Sequence, residues 1–250
     1  MRLWQLGRNQ LPYLVLTVLL FGRSGMEETR FEVVSLEGFI QQLAVSCVGK
    51  GYVHYVTGRI PELKDLRAVD RKFAERYRLG ISKWSRYRRK QDGFANLRYL
   101  RFERFFVLIA TNGVHDFFRE EAGRIQDCRR VPIKFGGYAV SSQNNRVHVR
   151  IEREQYNLLK AYFLDLAVRR KVETLERMIA GLPFEPYAPV RRQLLDLVRA
   201  MNKARKVAGF EPVSFSCVRM KRRIVRPFKC RRASEEQPLE IYRNTLNASC

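Results

Sequence analysis

The sequence has few of the residues that build metal sites and disulfide frameworks. Its three histidines, His54, His115 and His148, are isolated along the chain, and no two cysteines have C-x-x-C spacing. The five cysteines are Cys47, Cys128, Cys217, Cys230 and Cys250. An odd number without metal-site spacing indicates free thiols in a reducing compartment, here the cytoplasm, and predicts no cofactor and no metal site. A zinc site assembled from distant residues, such as Cys217 and Cys230 with a histidine, stays open.

Motifs that mark common catalytic and nucleotide-binding sites are also missing. The sequence has no Walker loop, no G-x-G-x-x-G, no H-E-x-x-H and no G-x-S-x-G. It therefore lacks the glycine-rich phosphate cradle, the zinc-binding helix and the nucleophile elbow that these motifs describe. We expect a protein that binds its partner and does not transform it.

The apolar stretch near the N-terminus, Leu11 to Phe21, is too short to span a bilayer comfortably. It follows two arginines and precedes two glycines, which is the outline of a signal peptide. A second interpretation is a buried or membrane-leaning helix. A third is that translation starts at Met26, and we favour it because a globular pattern begins only after that residue.

Acidic residues are scarce relative to basic ones. The chain has 25 Asp and Glu against 48 Lys and Arg, and its formal net charge of +23 far exceeds what solubility requires. The predicted partner is nucleic acid, DNA in preference to RNA, in the replication or mobilisation of a genetic element. Two alternatives stay open. One is a scattered positive surface without a ligand; the other is a peripheral protein held on anionic membrane by Leu11 to Phe21 and a basic arm.

The patterning that is present predicts an α+β fold built on an antiparallel sheet of about five strands with flanking helices. Its centre is a hairpin: Leu97 to Phe102 alternates, Glu103-Arg104 turns, and Phe105 to Ala110 is an apolar run buried on both faces. The first strand is expected to be the more exposed one. We expect an N-terminal apolar segment at 1–25, a sheet domain at 26–151, a helical part at 152–210, and a basic arm with a frayed tail at 211–250.

Two short polar or glycine-rich interruptions fall within the later strands of this sheet. The pair Gly136-Gly137 indicates a bulge or a close approach of the backbone, to a ligand for example. The residues Gln143 to Asn145 predict a turn between two strands.

The most specific functional signal is a basic segment that contains two aromatic residues, Lys83 to Gly93. Basic side chains neutralise phosphates and flat aromatic ones stack on unpaired bases, so their combination favours nucleic acid more than charge alone does. The alternative is that Trp84 and Tyr87 anchor a short helix to the core. The predicted nucleic-acid-binding residues are Lys83, Trp84, Arg86, Tyr87, Arg88, Arg89 and Lys90, the strand residues Arg98, Arg101 and Arg104, and the arm residues Arg219, Lys221, Arg222 and Arg223.

One enzymatic alternative stays open, a metal-dependent DNA nuclease or transposase-like enzyme. His54 and His148 each lie on a predicted strand, and Tyr156 lies on the helix that follows the sheet. If the two strands were neighbours, the imidazoles would hold Mg²⁺ or Mn²⁺ and the tyrosine would attack a phosphate. This order of elements is loosely similar to that of rolling-circle initiators and relaxases, but the strand-borne histidine pair of that family is missing.

Overall fold

The computed structural model describes residues 31–228, which form seven strands and seven α-helices. The strands are β1 (His54–Arg59), β2 (Leu97–Phe102), β3 (Phe105–Ala110), β4 (Gln126–Asp127), β5 (Ile133–Phe135), β6 (Tyr138–Gln143) and β7 (Arg146–Ile151). The helices are α1 (Leu36–Gln41), α2 (Leu66–Arg76), α3 (Lys83–Gln91), α4 (Asp116–Glu120), α5 (Arg153–Ala167), α6 (Val172–Ala180) and α7 (Ala188–Val207). The apolar stretch Leu11 to Phe21 and Met26 lie outside the described residues.

The larger sheet is antiparallel and has four strands in the order β2-β3-β1-β4. A core lies on each of its faces. Along β3, Val107 and Ile109 pack into a core shared with α1, the smaller sheet and the C-terminal helices, whereas Phe106 and Leu108 pack towards α2 and α4. The predicted hairpin of β2 and β3 is confirmed, with Glu103 in the left-handed region at its turn (φ 51°). The prediction that β2 is the exposed strand is wrong, because the same two cores cover it.

The smaller sheet is antiparallel and has three strands in the order β5-β6-β7. Both of its hairpins turn through two residues with positive φ, Gly136 and Gly137 in the first and Asn144 and Asn145 in the second. These are the residue types that tolerate such a turn. The glycine pair is therefore a hairpin turn and not a bulge. A Cβ on Gly136 would lie 2.5 Å from the side chain of Leu36, so the close approach predicted there is to α1.

A serine caps the N-terminus of helix α1. The Ser35 hydroxyl accepts a hydrogen bond from Gly38 N at 3.1 Å and so caps the helix. The chain then continues as a π-helix, Gln42–Cys47, and a 3-10 turn, Val48–Lys50. This segment carries Leu43, Ala44 and Cys47 into the core between the two sheets.

The C-terminal helices complete that core. Apolar residues of α5, α6 and α7, such as Phe163, Leu175 and Leu197, are buried in it together with residues of both sheets. The side chain of Gln193 on α7 donates to Ile151 O at 3.0 Å and accepts from Ile151 N at 2.8 Å, which occupies hydrogen-bonding groups at the free edge of β7. The α+β class with a helical C-terminal part is thus confirmed, and its strands are divided between two sheets.

Residues 219–228, which we call the C-terminal segment, lie along the body of the protein. Val34 N donates to Pro227 O at 3.0 Å, and the Gln41 side chain donates to Val225 O at 2.9 Å. The first part of the predicted basic arm is therefore attached to α1 by hydrogen bonds. Between residues 31 and 228 no helix has both the length and the apolar character needed to cross a membrane.

Candidate nucleic-acid interface

Helix α3 buries none of its nine residues. Ser82 caps it, since its hydroxyl accepts a hydrogen bond from Ser85 N at 3.2 Å. The sequence K-W-S-R-Y-R-R-K-Q contains five basic residues and no aliphatic one. Without an apolar stripe, the helix has no side chains with which to enter either core.

The exposed side chains of α3 form one continuous surface. At about 100° per residue they span an arc of roughly 160°, with the two aromatic rings in the middle and basic residues on both sides. We call this arc the α3 surface; it consists of Lys83, Trp84, Tyr87, Arg88, Lys90 and Gln91. Trp84 is 72% exposed and Tyr87 is 58% exposed, so the alternative that they anchor the helix to the core is wrong.

Polar contacts hold the inner side of α3. The Asn96 side chain donates to Arg86 O at 2.9 Å, and Arg89 Nη2 donates to Ala95 O at 3.1 Å. The Arg89 guanidinium also lies 5.7 Å from the centre of the Phe94 ring. Arg86 and Arg89 therefore attach the helix to the chain that leads into β2. Of the seven predicted residues in this segment, these two are the ones turned away from the exposed arc.

The attachment leaves two buried polar atoms without a hydrogen bond. They are Arg89 Nε and the Asn96 side-chain oxygen, and both lie beneath α3. Asn96 is 5% exposed, and its own N–H donates to the Thr111 hydroxyl at 2.9 Å.

An apolar patch that the sequence did not reveal adjoins this helix. Phe94 and Val114 form an isolated parallel bridge just before β2 and just after β3, and they are 45% and 70% exposed. Gly113, which precedes Val114, has φ +129°, and a Cβ there would lie 2.6 Å from Ala95 N, so only glycine allows this approach. In the sequence, Gly113 was a local sign of this patch. The pairing of Phe94 with Val114 could not be predicted, because it depends on the fold.

A histidine lies next to the inner side of α3. His115 caps α4 by accepting a hydrogen bond from Phe117 N on Nδ1 at 3.1 Å. Burial lowers the pKa of His115 from its ordinary value, and the positive charges of Arg89 and Arg78 act in the same direction. The neutral imidazole is the form that this cap requires.

The strand arginines are not part of the exposed surface. Arg101 is 1% exposed, and its guanidinium donates to both carboxylate oxygens of Asp70 on α2, with Nη2 to Oδ2 at 2.9 Å. It also contacts Glu32 at 3.3 Å, and the Tyr99 hydroxyl donates to the same Asp70 at 2.7 Å. A phosphate cannot reach this guanidinium, and the prediction that Arg101 is available to nucleic acid is wrong.

Arg98 and Arg104 also have intramolecular partners. The Arg98 guanidinium lies 5.3 Å from the centre of the buried Tyr52 ring. Arg104 donates to the carbonyl oxygens of Pro61 at 2.6 Å and Glu62 at 2.9 Å, which fixes the turn after β1. Both side chains therefore support the fold.

The predicted residues of the arm divide in the same way. Arg219 donates to the buried carboxylate of Glu185 at 2.8 Å, and Arg222 stacks 4.8 Å from the centre of the Tyr187 ring. Lys221 and Arg223 are exposed, and only the backbone N–H of Arg223 is held, by Glu185 at 2.9 Å. Two of the four side chains thus hold the C-terminal segment in place and two face solvent.

The three candidate nuclease residues lie in different parts of the fold. His54 is on β1, where its Nε2 lies 2.8 Å from Asn112 Oδ1. His148 is on β7 of the other sheet, opposite Ser141 of β6. Since β1 pairs with β3 and β4, the two histidine strands are not neighbours, whereas the nuclease alternative needs them to be. The Tyr156 hydroxyl donates to Gln193 O at 3.1 Å, and burial raises its pKa. Among residues 31–228 no three His, Cys, Asp or Glu side chains are grouped to hold a metal ion.

Comparison with models of known protein families and with curated protein sequences finds no match to this chain. Its function must therefore be argued from its own residues.

Proposed function

We propose that the protein binds nucleic acid at the α3 surface, with bases stacked on Trp84 and Tyr87 and phosphates held by Lys83, Arg88 and Lys90. The observation that carries this proposal is the exposure of two aromatic rings between basic residues on a helix that buries nothing. Neighbouring exposed rings with polar side chains around them are the kind of surface that marks an interaction site. Base stacking uses the rings and phosphate binding uses the charges.

The geometry supports unpaired bases as the ligand. Trp84 and Tyr87 are three residues apart, so their Cβ atoms are neighbours on the helix at about 5–6 Å and the rings can take two successive bases. In a duplex the base faces are already stacked on one another, and protein side chains read base edges in the grooves by hydrogen bonding. Indole and phenol rings on a helix surface are better suited to stacking on unpaired bases than to reading base edges in a duplex.

The partner in this proposal is DNA, in the replication or mobilisation of a genetic element, and the compartment is the cytoplasm. The net charge of +23 supports a polyanionic partner. Cys47, Cys128 and Cys217 are free thiols, which supports a reducing compartment.

Tryptophan fluorescence tests the stacking directly. The chain has two tryptophans, Trp4 and Trp84, so a Trp4→Phe variant leaves Trp84 as the single reporter. Titration with single-stranded oligothymidylate should quench its emission, because the indole stacks on a base. Single-stranded RNA of the same length serves as the comparison ligand. Binding without any change in Trp84 emission would remove this ring from the interface.

Salt dependence tests the phosphate contacts. Replacing Lys83, Arg88 and Lys90 together by Ala should reduce the slope of log affinity against log salt by about 2, since each lost contact with a single strand accounts for about 0.7. A matched variant, Arg67→Ala, Arg71→Ala and Lys72→Ala, removes three exposed charges from α2. This control should keep the slope of the parent protein. Equal slopes in both variants would refute the proposed interface.

A further inference from the structure

A second cationic site surrounds Arg205, far along the chain from α3. Arg205 lies on α7 and is 3% exposed. Its Nε donates to Glu211 O at 2.5 Å, and its Nη1 donates to Ala167 O at 2.6 Å and to Arg170 O at 3.0 Å. The Phe210 ring lies 5.4 Å from the guanidinium.

Among residues 31–228 this buried charge has no carboxylate counterion. No carboxylate of the described residues forms an ion pair with Arg205, and its Nη2 donates to none of their atoms. Buried charges in proteins are normally paired, because removing an ion from water is expensive. Arg101 shows the usual arrangement, with Asp70 on its guanidinium. Arg205 therefore has a positive charge and one donor available for an anion.

Arg205 lines a cavity of about 350 Å³ at the turn between α5 and α6. Three consecutive basic residues of that turn, Arg169, Arg170 and Lys171, also line it, together with Glu173 and Glu211. Arg169 forms an ion pair with Asp165 at 3.0 Å, whereas no ion pair joins Arg170 or Lys171 to a described carboxylate. The four cations outnumber the two lining carboxylates, and both carboxylates belong to exposed residues.

The N-terminus of α6 opens onto the same cavity. Its N-cap is Lys171, whose side chain makes no capping hydrogen bond. The first backbone N–H groups of a helix have no partner within it, and the helix dipole places partial positive charge there. An oxyanion can accept from such groups and from an arginine at the same time.

We propose that this cavity binds a phosphate group. Arg205 Nη2 and the first N–H groups of α6 would donate to its oxygens, and Arg170 and Lys171 would attract it from the rim. The site is independent of the α3 surface, because it lies on different elements and none of its residues belongs to that surface. The shared chemistry is a phosphate with free oxygens, whether inorganic or at the end of an oligonucleotide.

Calorimetric titration of the full chain with inorganic phosphate, at constant ionic strength set with chloride, tests the site. We expect saturable binding to the parent protein and at least tenfold weaker binding to an Arg170→Ala, Lys171→Ala variant. Both side chains are exposed, and the Arg170 carbonyl that Arg205 uses is kept. A matched variant, Arg192→Ala, Lys203→Ala, loses the same charge from the exposed face of α7 and should bind like the parent. Equal weakening in the two variants, or no saturable binding in the parent, would overturn the proposal.

Oligonucleotides with and without a 5′-phosphate distinguish the two sources. Tighter binding of the phosphorylated strand that is lost in Arg170→Ala, Lys171→Ala would assign the site to a nucleic-acid terminus. Equal binding of both strands, with phosphate binding retained, would assign it to a free phosphate ligand. A Trp84→Ala variant should keep its affinity for inorganic phosphate, so failure of the α3 interface and failure of this site are separable.

Discussion

Two arginine-rich segments that are neighbours in sequence have opposite positions in the fold. Helix α3 and strand β2 are separated by five residues, and each carries arginines beside aromatic side chains. On α3 the rings and most of the charges face solvent, whereas on β2 Arg101 is among the most deeply buried side chains of the described residues. Residue type alone therefore does not decide whether an arginine is available to a ligand.

The difference arises from what each element packs against. Strand β2 has a core on both faces, and its apolar side chains enter one core or the other. The Arg101 side chain is tolerated there because Asp70 approaches from α2 with a carboxylate. Helix α3 buries none of its residues, so the side chains of the α3 surface remain in water and are free to bind a polyanion.

Breaking the ion pair of β2 should have the largest effect. Asp70→Asn leaves the Arg101 charge buried with only the half-exposed Glu32 nearby, and we expect the free energy of unfolding to fall by about 3–5 kcal/mol. Urea denaturation measures it. Asp196→Asn is the matched control, since its ion pair with Arg199 is exposed on both sides and should contribute at most about 1 kcal/mol. If the free energy of unfolding falls as little in Asp70→Asn as in the control, the buried ion pair does not contribute the stability expected here.

Removing a ring from α3 should affect binding and leave stability almost unchanged. We expect Trp84→Ala to weaken single-strand binding by about 1–3 kcal/mol, while its free energy of unfolding stays within about 0.5 kcal/mol of the parent, because the side chain packs against no core. Binding to duplex DNA of equal length should not change. If duplex and single strand lose affinity equally, the ring does not stack on unpaired bases.

The smallest effect should come from protonation of His115, next to the inner side of α3, at acidic pH. Burial lowers the pKa of His115 in the folded protein. The stability that the neutral imidazole contributes is therefore present above the unfolded pKa of about 6.5 and is lost as the pH falls below that value. Thermal unfolding at pH values from 7 to 5 should show a decline that His115→Asn reduces, because Asn caps α4 without titrating. Parallel declines in the parent protein and in His115→Asn would exclude His115 as the cause.

Several parts of the fold followed from local patterns. The β2–β3 hairpin and the turn at Asn144-Asn145 were predictable, because alternation and positive φ act over a few residues. The division into two sheets was not, since the register of one strand against another depends on segments far apart in sequence. The positions of His54 and His148 on separate sheets have the same origin.

By itself, the sequence determined the charge, the α+β class and the combination of rings and basic residues in α3, since each is a property of composition or of short-range spacing. Tertiary structure alone decided which of those charges remain free. Asp70 meets Arg101, Glu185 meets Arg219, and Arg205 meets only carbonyl oxygens and a ring. These outcomes depend on contacts across 31, 34 and 38 positions of the chain, and packing of whole elements brings such residues together.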